Sequence, residues 1–106
     1  MLLHWPSPRV PLSETLDGLR QAKQMGLAKH IGISNFNVAL IEEAVSLSKE
    51  PLVCNQVEYP PYLDQTKVLD ACRNLGLAMV AYSPIAKGRV KDDRTLARIG
   101  DLHRKT

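Results

Sequence analysis

Polar residues with chemical capacity gather at four places in this sequence, each at the end of a short apolar run. They are His4, the pair Ser34-Asn35, the set Asn55-Gln56 with Glu58, and Tyr82-Ser83. Most are neutral: hydroxyls and amides offer donor and acceptor atoms together, while His and Tyr add a ring with an exchangeable proton. The inventory is one of hydrogen bonding rather than metal ligation. His30 and His103 have no partner at metal-ligand spacing, and no metal site is expected. Cys54 and Cys72 form no CxxC pair; one falls in a strand-like run and the other on an apolar helix face. They read as two reduced, buried thiols in a reducing compartment.

Regular elements must carry these groups. Strand-like runs occupy Leu2 to His4, His30 to Ser34, Leu52 to Glu58 and Ala78 to Ser83, and a segment of helical spacing follows each. Leu12, Leu16, Leu19 and Ala22 recur at three- and four-residue intervals, which puts them on one helix face. Ser13 is a candidate N-cap there, and Gly26 stands where a left-handed residue ends the helix. A second helix starts from an Asn37 cap, with Leu40, Ile41, Ala44, Val45 and Leu47 toward the core, and Pro51 prevents its continuation. A third uses Val68, Leu69, Cys72 and Leu75 and stops at Gly76; a fourth uses Leu96, Ile99 and Leu102. The sequence also echoes itself, because Gly26-Leu27-Ala28 leads to Ser34 as Gly76-Leu77-Ala78 leads to Ser83.

Repeated strand–helix units imply parallel strands joined by crossover helices. A doubly wound sheet and a barrel share that alternation. No Gly-rich phosphate fingerprint follows any strand, as a dinucleotide-binding doubly wound sheet would want. Polar strand ends contributed by several strands in succession are instead the habit of an eight-stranded α/β barrel. The fold class expected is therefore α/β, a partial (β/α)8 TIM barrel of four consecutive βα units, with residues 1–106 forming one partial domain. A full barrel takes roughly 250 residues, so half the strands are lacking. Two unpaired edges and an uncovered apolar face follow.

Composition narrows the function classes. The chain has 106 residues, 44% hydrophobic and 24% charged, with a net charge of +3. No run approaches the roughly 20 apolar residues of a membrane span, and Met1 to Trp5 lacks the character of a signal peptide. A cytoplasmic protein without membrane contact is the expectation. Lys87, Arg89 and Lys91 form the densest basic stretch. They could meet a phosphate-bearing small molecule, but without interleaved aromatics they do not suggest nucleic acid.

Four ordered motifs resemble those of the aldo-keto reductases. Leu2-Leu3-His4-Trp5-Pro6 resembles the end of that family's fourth barrel strand, and Gly32-Ile33-Ser34-Asn35-Phe36 the end of its fifth. Asn55-Gln56-Val57-Glu58-Tyr59 resembles the sixth-strand motif, and Ala81-Tyr82-Ser83-Pro84 the end of the seventh. The set covers essentially the whole chain, and its flavour is that of bacterial reductases of diketogluconate and methylglyoxal-type carbonyls. The resemblance implies NADP(H) as cofactor, a small carbonyl compound as substrate, and hydride transfer from one to the other. It implies a catalytic His4 beside the substrate carbonyl, with Trp5 in the substrate pocket. It also implies that Ser34, Asn35 and Gln56 bond the nicotinamide carboxamide, that Tyr82 stacks on the ring, and that Ser83 opens a loop reaching Arg89 beside the pyrophosphate. Each residue keeps an ordinary alternative. His4 could be a strand-end residue satisfied by backbone, Ser34 and Asn35 helix caps, Tyr82 a core ring, Trp5 a rim residue, and Lys87 and Arg89 solvated charges. Glu58, two residues after Gln56 and on the same strand side, reads as structural.

Departures matter as well. Pro60 stands where many family members carry histidine. The family's acid is a tyrosine assisted by a lysine and an aspartate on earlier strands, and its 2′-phosphate grip lies beyond Thr106. Tyr59, Tyr62 and Tyr82 belong to other motifs. The leading expectation is a piece of an oxidoreductase that is inactive alone. The alternatives are a half-barrel cofactor-binding or interaction module that self-associates through its edges, and an inactive paralogue used for protein contact.

Overall fold

A computed structural model describes residues 1–105. Four strands alternate with helices: β1 Leu2–Leu3, α1 Leu12–Gln24, β2 Ile31–Ser34, α2 Val38–Leu47, β3 Leu52–Glu58, α3 Thr66–Asn74, β4 Ala78–Tyr82 and α4 Arg94–Leu102. A 3₁₀ segment, Ala86–Asp92, lies between β4 and α4, broken at Lys87 and Gly88 by left-handed backbone. All strand pairs are parallel and the sheet runs β1-β2-β3-β4. The expected fold class therefore holds, and sequential order with crossover helices is the local pattern of an α/β barrel.

Register decides which side chains reach which face. Ile31 pairs with Leu52 but Ile33 pairs with Asn55, so β3 carries one residue more than β2 over that stretch. A bulge of this kind resets the inward–outward alternation of its strand. After it, Asn55 and Val57 are buried toward the helices, while Gln56 is half-buried and Glu58 exposed on the opposite face. Gly32 permits the close approach of the strands on either side. A Cβ there would stand 2.8 Å from Leu2 Cδ2 and 2.9 Å from the Cys54 carbonyl oxygen.

The core lies between the sheet and α1 to α3, where Leu16, Ile31, Ile33, Phe36, Ile41 and Cys72 are among the buried side chains. Asn37 caps α2 by accepting from the Leu40 amide at 3.0 Å. Gly26 and Gly76 both take φ of 75°, and the following amides reach back to Ala22 and Cys72 carbonyls at 3.0 and 2.8 Å. Those are the closures a left-handed glycine provides.

Four expectations need correction. Pro11, not Ser13, occupies the cap position of α1, and Ser7 turns the preceding loop by accepting from the Arg9 and Val10 amides. Leu47 and Leu75 are exposed although helical spacing put them toward the core. So are Ile99 and Leu102 on α4, the latter 76% exposed. Cys72 is buried but Cys54 only half-buried, and both thiols are free, with burial pushing their pKa values up.

Candidate active site

The carboxyl ends of the strands carry one connected set of polar groups. Ser34 closes β2, and its hydroxyl donates to the Gln56 carbonyl on β3 at 2.7 Å. The Asn35 amide donates to the same carbonyl at 2.9 Å. The chain then turns through Asn35 with φ of 63°, a left-handed conformation that Asn tolerates better than most residues. That turn aims the Asn35 side chain back across the strand ends. Its Nδ2 donates to the His4 carbonyl at 2.9 Å and to Ser34 Oγ at 3.1 Å. Its Oδ1 accepts from the Tyr82 hydroxyl at 2.9 Å. Asn35 thus joins β1, β2 and β4, and Ser34 joins β2 to β3.

Of the residues singled out in the sequence, Ser34, Asn35, Gln56 and Tyr82 are brought together. His4 enters this network through its backbone oxygen, leaving the imidazole exposed, 6.3 Å from the Trp5 ring between centroids. Trp5, 56% exposed, borders an open cleft of about 300 Å³ with Asn35, Phe36, Val57, Leu63 and Tyr82. Ser83 stands apart. It is left-handed (φ 49°), accepts from the Ala86 amide through its carbonyl, and borders a neighbouring cleft of about 340 Å³ with Pro60, Tyr62, Lys87 and Arg89. Glu58 is exposed and borders both clefts. A depression of about 480 Å³ formed by residues including Ser13, Asp17 and Arg20 holds none of the strand-end groups.

The loop after β4 concentrates uncommon backbone: Ser83, Ala86 and Lys87 all take positive φ, as does Gly88. Non-glycine residues in that region cost of order 1 kcal/mol each, and such strain clusters at functional sites. The loop is fastened to the one after β3, because the Arg89 guanidinium lies 4.9 Å from the centre of the Tyr62 ring. Tyr62 also faces Asp93. Partial burial, then the Asp93 carboxylate, hold the Tyr62 phenol above its ordinary pKa. The Leu96 amide, with help from Tyr62, Thr95 and Arg89, holds Asp93 below the usual carboxylate range.

Two contributions were given no role from the sequence, that of Asn55 and the contact between Arg89 and Tyr62. Asn55 is fully buried; its Oδ1 accepts from the Phe36 amide at 3.4 Å and its Nδ2 donates to the Phe36 carbonyl at 3.0 Å. An amide among Leu52, Val53, Cys54 and Val57 was the signal, since a buried polar side chain needs partners. The Arg89–Tyr62 contact left no comparable mark, because the two residues come from different loops. Among the described residues no cluster of metal-ligating side chains occurs, and no helix is long and apolar enough to cross a membrane.

Comparison with known proteins places this geometry. The profile of the aldo/keto reductase family matches residues 1–105. Methylglyoxal reductase DkgB of Salmonella typhimurium is 38% identical over 108 aligned residues, covering 99% of this chain and 40% of that protein. A crystal structure provisionally assigned as a 2,5-diketo-D-gluconic acid reductase B superposes with a TM-score of 0.94 at 50% identity, covering 99% of this chain and 37% of the other. A Bombyx mori aldo-keto reductase solved in complex with NADP gives 0.87 at 35% identity, with 99% and 40% covered. The chain thus spans about two fifths of the length of relatives such as DkgB.

Proposed function

The chain belongs to the aldo/keto reductase family, and from that premise we propose that it supplies the nicotinamide-facing and substrate-side part of an NADP(H)-dependent carbonyl reductase. The observation that carries this reading is the network through Asn35, which gathers groups from four strand ends onto one surface. NADPH, when bound, would supply the hydride for reduction of an aldehyde or ketone carbon.

The uncommitted hydrogen-bonding capacity of this surface fits a carboxamide. Both Asn35 amide hydrogens are spent on His4 and Ser34, and the Ser34 proton on Gln56, so Asn35 Oδ1 and Ser34 Oγ retain acceptor capacity only. Gln56 keeps its side-chain amide free among the described residues and can donate. Acceptors for an –NH₂ and a donor for a carbonyl are what a ring carboxamide requires. Tyr82 contributes a flat ring whose hydroxyl is tethered to Asn35, which limits its rotation and favours stacking. Ser83, Lys87 and Arg89 border the adjoining cleft, where two cations suit a diphosphate. The exposed His4 imidazole and Trp5 stand on the substrate side, His4 to orient the carbonyl and Trp5 to bound the pocket.

An acid must protonate the developing alkoxide. Tyr82 is bonded to Asn35, Tyr62 lies beneath Arg89, and Tyr59 follows β3 in another motif, so none takes that role. The 106-residue chain alone therefore reduces no carbonyl compound at a measurable rate. Incubation with NADPH and methylglyoxal should leave NADPH absorbance unchanged; sustained oxidation would contradict this division of labour.

A second reading rests on the open sheet. Val53 and Val80 are exposed, and β1 and β4 are edge strands. Unpaired edges beside apolar surface favour association, and pairing with a second copy would make the chain a self-associating half-barrel in a reducing, cytoplasmic setting.

A further inference from the structure

The buried carboxamide of Asn55 is a larger commitment than packing asks for. Its side chain has no solvent exposure, sits on the helix-facing side of β3 with the Cys72 thiol beside it, and engages both backbone polar groups of one residue in the β2–α2 loop. That residue, Phe36, is 1% exposed and immediately follows the left-handed Asn35. Phe36 lies between β2 and α2, so neither strand nor helix supplies its amide and carbonyl with partners. The β3 bulge is what turns Asn55 to this side and leaves Gln56 on the other. One strand thus presents Gln56 to the site and, by the adjacent residue, grips the loop carrying Asn35.

We propose that Asn55 is a positioning residue for the nicotinamide surface: its two-point hold on Phe36 fixes the turn that aims Asn35 at His4, Ser34 and Tyr82. The proposal rests on the cofactor reading above and adds to it a residue that touches neither cofactor nor substrate. A buried apolar side chain of similar size would fill the same space. It would leave two backbone groups without partners, and the turn would relax to satisfy them. Asn35 would then lose its register with the Tyr82 hydroxyl and the His4 carbonyl.

The test combines Asn55→Leu, which keeps the size but removes both donor and acceptor, with measurements on the unaltered chain. In the unaltered chain, the Phe36 amide and one Asn55 side-chain proton should exchange slowly with solvent; fast exchange of both would overturn the proposal without any variant. In a folded Asn55→Leu chain, the NMR signals of the Asn35 side-chain amide should move toward those of a free amide. NADPH affinity should fall roughly tenfold, the equivalent of one hydrogen bond. Binding of 2′-phospho-ADP-ribose, which lacks the nicotinamide, should not change. Unmoved Asn35 signals, or equal losses for both ligands, would show a purely structural residue. If the unaltered chain binds NADPH no better than 2′-phospho-ADP-ribose, the cofactor reading fails, while the Asn35 signals still decide whether Asn55 sets the turn.

Discussion

Asn35 carries more of the site than any other residue, because one side chain ties His4, Ser34 and Tyr82 together while its own backbone is left-handed. The two contributions can be separated. Asn35→Ala and Asn35→Gly lose the same side-chain bonds, but only alanine keeps a Cβ where φ is positive. Asn35→Ala should therefore unfold in urea about 1 kcal/mol more easily than Asn35→Gly, and equal stabilities would mean the turn relaxes once the side chain is gone. At this scale the sequence was informative about which residues meet and less so about how. Ser34, Asn35, Gln56 and Tyr82 were legible as strand-end groups. Glu58 was legible as sharing a strand side with Gln56, and it opens onto both clefts. The role of Asn55 depends on a bulge and on a partner 19 positions away, and neither is written in local spacing.

Elements were legible where their punctuation is local. Asn37 before an apolar period, Gly26 and Gly76 after one, and Pro51 beyond α2 act within a turn or two of themselves. Ser13 misled because Pro11 starts the helix earlier and Ser7 serves the loop instead. On α4, Leu96, Ile99 and Leu102 share a face as the period required, but Ile99 and Leu102 are exposed. Periodicity tells which residues share a side and is silent on whether anything covers it. The N-terminus of α4 is held by Asp93, which accepts from the Thr95 and Leu96 amides at 2.9 and 3.0 Å. Its folded-state pKa is depressed, chiefly by the Leu96 amide. Its contribution is therefore complete above the ordinary aspartate pKa and disappears as pH falls through the depressed value. The Thr95 and Leu96 amides should lose exchange protection on acidification through that window. The substitution Asp93→Asn retains a capping side chain but does not titrate there, so it should flatten the dependence; an unchanged profile would contradict the assignment.

For the whole molecule, the shape is open. The radius of gyration is 16.7 Å, against about 13 Å for a closed domain of this length, and the long dimension is 48 Å. This is a sheet with helices packed on one face, consistent with four consecutive units of a barrel. If the open face pairs with a second copy, sedimentation should give a dimer that Val80→Lys on edge strand β4 disperses; a monomer across the micromolar range would remove the self-association reading. A nicotinamide platform on this layer is open to direct test. Trp5 is the sole tryptophan and borders the cleft beside Tyr82, so its fluorescence reports the site directly. Titration with NADPH should give saturable quenching, weakened roughly tenfold in Gln56→Leu by loss of the Gln56 side-chain donor. No quenching at any NADPH concentration, or equal affinity in Gln56→Leu, would contradict it.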